Sequence, residues 1–279
     1  LAKPSSAANI HTAHVPRLRS IFLLLACACC LSSCSFHSAT NESGRVVMRH
    51  SNSIVRYHGE RAFEKIKSKR KISHDPKYTR PVNRVAERLK KVIDMPNADW
   101  EFVVFKDGSP NAFALPGGKV GINSGIFKVV ENDAMLAAVL GHEISHVTAG
   151  HAQKRMIHAI ATVIAGAIIY QAMDHNEMDH TAEALTAYAL ASFLLDALPL
   201  SRRQEFESDR IGVRYMIQAG YDPRASIDLW KNLRKYHLRH GPPPPEFLRT
   251  HPHDDARIKA LEAYMPEAMR LYREQQARH

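Results

Sequence analysis

Five residues, His142-Glu143-Ile144-Ser145-His146, hold the chemistry that the rest of this sequence has to position. Histidines four residues apart stand one turn apart on the same face of an α-helix, so both imidazoles can reach one metal ion. Glu143 projects beside that pair toward the ion's open position, where a carboxylate can take a proton from an attacking water. With the histidine and glutamate content of this chain, H-E-x-x-H arises by chance about 0.05 times, so two stray histidines on a solvated helix is the weaker reading.

The flanking residues place the motif inside a helix. Asn132 or Asp133 can cap it, and Leu136, Val139, Leu140 and Val147 form an apolar stripe along it. Gly141 lowers helix propensity there, which points to a close backbone approach at that position. A catalytic zinc takes three protein ligands and water. Position 152, where a metzincin would place its third histidine, is Ala152. His151 is five residues past His146 and so rotated off the ligand face; a surface or hydrogen-bonding role is expected for it. The sequence Glu205-Phe206-Glu207-Ser208-Asp209 supplies a better third ligand. On a second helix Glu205 and Asp209 share a face, with Glu205 ligating zinc and Asp209 accepting the outer N–H of a ligand histidine. Glu207 is about 200° round the helix from Glu205 and should face away.

Four ordered motifs now show a family resemblance. Asn111-Ala112-Phe113-Ala114-Leu115-Pro116-Gly117-Gly118 is similar to an N-A-F-x-x-P-G-G segment, and Ser201-Arg202 leading to Glu205 and Asp209 is similar to S-R-x-x-E-x-x-A-D, with Ser208 for the usual Ala. Thr250-His251-Pro252 with Arg257-Ile258 resembles a T-H-P…R-I closing motif. Together with H-E-x-x-H, these resemble the gluzincin zinc metalloendopeptidases, the family of HtpX, the CAAX prenyl protease, the mitochondrial Oma peptidase and BepA/LoiP. The soluble Oma-like and BepA-like branch fits better than the HtpX branch, which has several membrane spans. The resemblance implies one Zn2+ per chain, polypeptide substrates, and an edge strand within Asn111, Ala112, Phe113 and Ala114 that adds substrate backbone as an extra strand. It implies that His251 approaches the zinc, either as a fourth ligand that blocks the water or as a donor to the developing oxyanion. Arg257 is expected to brace the His251 loop, and Arg202 the Glu205 helix. Two functions follow: an endopeptidase for misfolded or unassembled envelope proteins, or a latent zinc-binding chaperone gated by His251.

The N-terminal sequence points to export. Arg17 and Arg19 precede a short apolar run from Ile21 to Leu31, and Leu31-Ser32-Ser33-Cys34 resembles a lipobox. Residues 1–33 are expected to be a lipoprotein signal peptide, Cys34 the lipidated residue, 34–60 a polar tether and 61–279 the metalloprotease domain. Ser35 after the cysteine favours an outer-membrane lipoprotein facing the periplasm. The alternative is a presequence leading to the mitochondrial inner membrane. All four cysteines lie in this N-terminal region, so no cysteine metal site is expected downstream. Removing Lys3, Arg17 and Arg19 with the leader takes the formal net charge from +10 to +7. That charge comes with no nucleic-acid recognition motif, and no nucleic-acid partner is expected.

The elements that must position the site read as α+β and mostly helical, a zincin-type domain in which a small sheet flanks the H-E-x-x-H helix. Trp100–Phe105, Asn111–Leu115 and Lys119–Asn123 read as short strands. Met156–Met173 is apolar and about long enough to span a membrane. It is expected instead to continue the zinc helix into the core or to wall a substrate groove. Thr181–Leu195 is expected to pack beside it, and residues 255–278 to close the fold as a charged helix.

Overall fold

The structure, a computed structural model, describes residues 53–174, 180–192, 198–241 and 255–278. The expected leader, Cys34 and His251 lie outside the described residues. The described chain forms two compact units, residues 158–189 and the remainder.

The sheet has three strands, β1 (Glu101–Phe105), β2 (Ala112–Leu115) and β3 (Lys119–Asn123), in the order β1-β3-β2. β2 and β3 are antiparallel across Pro116-Gly117-Gly118, whose glycines take φ of 92° and 88°. Phe113 lies opposite Gly121, where an added Cβ would stand 2.2 Å from the Phe113 ring. β1 joins β3 in parallel, so the Asp107-Gly108 turn carries the chain across the sheet and leaves β2 at its edge.

Helices cover this sheet. Residues 53–60, expected within a tether, open α1 (Ser53–Lys69), which buries Val55 and Phe63 and brings Gly59 against the Pro116 carbonyl. Asp75 caps α2 (Pro76–Lys90) by accepting from Lys77 N at 2.9 Å, and Pro76 at its start needs no hydrogen-bond partner for the N–H it lacks. α2 buries Val82, Val85, Ala86 and Leu89.

The H-E-x-x-H helix, α3 (Asp133–Thr148), is the centre of the core: every residue from Met135 to Thr148 is buried. Its cap is Asn132, which accepts from Met135 N at 2.9 Å. The helix stops at Ala149-Gly150, where Gly150 takes φ of 65°. The apolar run therefore starts a new helix, α4 (His151–Asp174), followed by α5 (Thr181–Ser192). The expected place in the core does not hold for α4: from Ala152 to Met173 no residue is buried. Periodicity marks a core helix by an apolar stripe with a polar back, and this segment has no polar back.

α6 (Leu198–Gln218) packs on α3, and α7 (Ala225–His240) and α8 (Asp255–Gln276) complete the larger unit. α3 and α6 meet backbone to backbone. A Cβ at Gly141 would stand 2.9 Å from Gly212 O, and one at Gly212 would stand 2.9 Å from His142 N. Gly141→Ala should destabilise the protein by about 1–3 kcal/mol in urea unfolding, although alanine is the better helix former by about 1 kcal/mol. An unchanged midpoint would show that the contact is not tight.

Candidate metal centre

The α3–α6 crossing sets the site. His142 Nε2 and His146 Nε2 are 3.1 Å apart, and the Glu205 carboxylate from α6 reaches them at 3.2 and 3.3 Å. These ligand atoms all lie within 4.8 Å of one another, and the three residues are buried.

The outer ring nitrogens are occupied. His142 Nδ1 donates to Asp209 Oδ1 at 3.0 Å, the pairing expected one turn after Glu205. Arg257, from the start of α8, donates through Nη2 to that same oxygen at 2.6 Å and through Nε to Asp209 Oδ2 at 2.8 Å. Its Nη1 lies 3.0 Å from Glu205 Oε2, at ion-pair distance but outside hydrogen-bond alignment. The guanidinium is stacked 3.8 Å over the Trp230 ring. Arg257 thus braces Glu205 and Asp209, the part the sequence reading gave to Arg202, which is exposed on α6.

His146 Nδ1 lies 2.9 Å from His151 Nδ1, and His151 Nε2 lies 3.2 Å from Glu207 Oε2. The carboxylate can only accept, so His151 carries its proton on Nε2 and its Nδ1 accepts from His146. Burial lowers the His151 pKa, with Glu207 opposing, which keeps this ring neutral. Of the two roles expected for His151, hydrogen bonding is the one found; the residue is fully buried. Five residues past His146 it does leave the ligand face, but the break at Gly150 turns it inward. Glu207 is not part of the three-residue cluster and reaches it only through His151, and Ser208 Oγ comes within 3.3 Å of His151 Nδ1.

The cluster attracts positive charge. Burial lowers the pKa of His142, but its hydrogen bonds to the Asp209 and Glu205 carboxylates outweigh this and push it up to about 9. Burial would raise the Asp209 carboxyl, yet Arg257 holds it below the usual carboxylate range.

Two clefts follow α3 and β2. One is lined by Pro110, Asn111, Ala112, His142, Glu143 and Trp230, and the other by Ala114, Leu115, His146 and Gly150 among others. Glu143 is buried at the first, beside Asn111, whose side-chain oxygen is buried without a hydrogen-bond partner. Phe113 differs from its neighbours on β2. Its ring packs with Phe63 and Phe105 at 6.4 and 6.1 Å, so only its main chain is open to another role.

A buried His-His-Glu cluster on an H-E-x-x-H helix beside a small sheet defines a zincin-type fold. Residues 76–265 match Peptidase family M48, and the chain belongs to that family. Mitochondrial metalloendopeptidase OMA1 of Schizosaccharomyces pombe is 34% identical over 187 residues, 67% of this chain and 53% of that protein. The OMA1 of Saccharomyces cerevisiae is 36% identical over 181 residues, 62% of this chain and 49% of that protein. Beta-barrel assembly-enhancing protease of Escherichia coli (strain K12) is 28% identical over 205 residues, 72% of this chain and 41% of that protein. The chain thus spans about half the length of the curated relatives it matches, or less.

Arg257→Met should cost about 3–5 kcal/mol, because it leaves two buried carboxylates without their cation. Arg257→Lys should recover little of this, since an ammonium cannot grip Asp209 with two parallel hydrogen bonds. Thermal unfolding of both variants checks this; equal melting temperatures for wild type and Arg257→Met would refute it.

Proposed function

We propose that this chain is a zinc-dependent endopeptidase, with His142, His146 and Glu205 as metal ligands and Glu143 as general base. The carrying observation is the donor set. Both histidines have their Nδ1 hydrogen-bonded outward, and both Nε2 atoms meet the Glu205 carboxylate, at 3.2 and 3.3 Å. Two imidazole nitrogens and a carboxylate converging in a buried pocket call for positive charge between them, which a proton on His142 or a metal ion supplies. Ligands about 2.0–2.1 Å from one tetrahedral ion stand about 3.3 Å apart, which suits zinc, and two imidazole nitrogens are not the oxygen donors that calcium takes.

When bound, the metal acidifies water and polarises a peptide carbonyl as a Lewis acid. Glu143 takes the proton of the attacking water and delivers it to the leaving amine. Asp209 holds His142 with a proton on Nδ1 and Nε2 turned toward Glu205, and His151, held by Glu207, does the same for His146. The outer edge of β2, which has no strand partner among the described residues, takes an extended substrate as an added strand along the two clefts. Asn111, with its unpartnered oxygen at the first cleft, is placed to accept a main-chain N–H from that strand.

The substrates we propose are misfolded or unassembled polypeptides, in envelope protein quality control. The protein would be an outer-membrane lipoprotein anchored at Cys34 and facing the periplasm, with residues 1–33 removed. Both a bacterial beta-barrel assembly-enhancing protease and mitochondrial OMA1 proteins are among its relatives, so the mitochondrial inner membrane is the alternative.

Casein cleavage by wild type and Glu143→Gln, with zinc content measured on both, tests the assignment. We expect zinc in both and cleavage at least about 100-fold slower in the variant. Zinc in both with cleavage in neither would turn attention to His251 as a gate. Folded protein that binds no zinc would remove the site. A proton on His142 competes with the metal, so zinc affinity should fall about tenfold for each pH unit below about 9 and level off above it. Chelator competition between about pH 7 and about pH 9 reads this, and a flat profile would show that His142 carries no competing proton in the metal-free protein.

A further inference from the structure

Residues 158–189 form a unit of their own within the described chain, and its surface is unlike that of a soluble domain. From Met156 to Met173, α4 carries no Asp, Glu, Lys or Arg. Ile157, Ile160, Val163, Ile164 and Ile168 lie exposed on it, Val163 to 71%. The side turned toward α5 is also apolar: a Cβ added at Gly166 would stand 3.7 Å from the Tyr188 ring. A helix docking on another protein shows one apolar stripe and a polar back; one that is apolar all round belongs in a large core or in lipid. This one is not in the core.

We infer that α4 and α5 form a re-entrant hairpin immersed in a lipid bilayer. The charge-free stretch Met156–Met173 has 18 residues, a length of about 27 Å against a hydrocarbon thickness of about 30 Å. Polar groups stand at its two ends. Lys154 and Arg155 are held by Glu207 and Gln204 at one end, and His180 pairs with Glu183 at the other. Between them two threonine hydroxyls return to their own helix, Thr162 to His158 O at 3.0 Å and Thr186 to Ala182 O at 2.8 Å, and Tyr188 donates across to Thr162 O at 3.4 Å, the satisfaction that hydrocarbon demands. The chain must come back to the side it left, because His146 before the hairpin and Glu205 after it share one site.

The test adds the full chain to vesicles of phosphatidylcholine and phosphatidylglycerol whose acyl chains are brominated near their ends. Val163→Trp places a reporter midway along α4; the native Trp100 and Trp230 supply the baseline in the parent protein. Immersion predicts that bromine at least halves the emission of the added tryptophan. Vesicle-bound protein whose added tryptophan escapes quenching would show an anchor elsewhere in the chain and overturn the hairpin. A blue-shifted reporter on a larger oligomer before lipid is added would show that a second copy covers this surface, and would overturn it too.

Discussion

Two helices touch through their backbones at Gly141 and Gly212, and the candidate site depends on that contact. With 2.9 Å between a would-be Cβ and the opposing backbone, no side chain fits on either helix there. The axes can then approach closely enough for the short Glu205 side chain on α6 to reach both imidazoles on α3. A wider spacing would leave the carboxylate short of one ring. It would also pull Asp209 away from His142, since both carboxylates rise from the same face of α6.

Arg257 solves an electrostatic problem that this proximity creates. Glu205 and Asp209 are both buried, and Glu143 is buried near them, so the cluster would hold excess negative charge before any cation arrived. A single guanidinium from α8 serves two of these carboxylates and stacks on Trp230. The planar fork fits Asp209 with two hydrogen bonds and leaves one nitrogen for Glu205. Because this cation comes from the last helix, the C-terminal end of the fold is tied to the metal centre rather than added to its outside.

What could be read from the sequence was local. H-E-x-x-H, the Glu205–Asp209 spacing, the Asn132 cap and the glycine at 141 follow from helical geometry and ligand chemistry, and each has the placement expected. The three strands were also legible, although the parallel pairing of β1 with β3 depends on contacts that no turn signal encodes. The misread residues are those whose role rests on elements distant in the chain. The contacts of Arg257 with Glu205 and Asp209 were not foreseen because those carboxylates lie far upstream, and nothing near Arg202 shows that it faces solvent. A useful signal was available: two acidic residues assigned to a buried site require a buried cation, and an arginine in a closing motif was the candidate. His151 was placed correctly by angle and only half correctly by environment, since the chain reversal at Gly150 is a tertiary event. The apolar run after it failed for another reason. Hydrophobicity alone does not distinguish a core helix from one that meets lipid.

The halves of the metal centre are separated by the stretch from Gly150 to Leu198, and this arrangement has a consequence for tolerance to change. Bringing the ends of a loop together costs entropy that grows only with the logarithm of its length, about 0.6 kcal/mol for each doubling. Beyond His151, Lys154 and Arg155, the intervening segment can therefore change in length at an entropic cost below the worth of one ordinary hydrogen bond. One methyl group at Gly141 costs more. The centre behaves as a clasp closed around an interchangeable insert, so variation can accumulate in the insert while the few atoms at the crossing stay fixed.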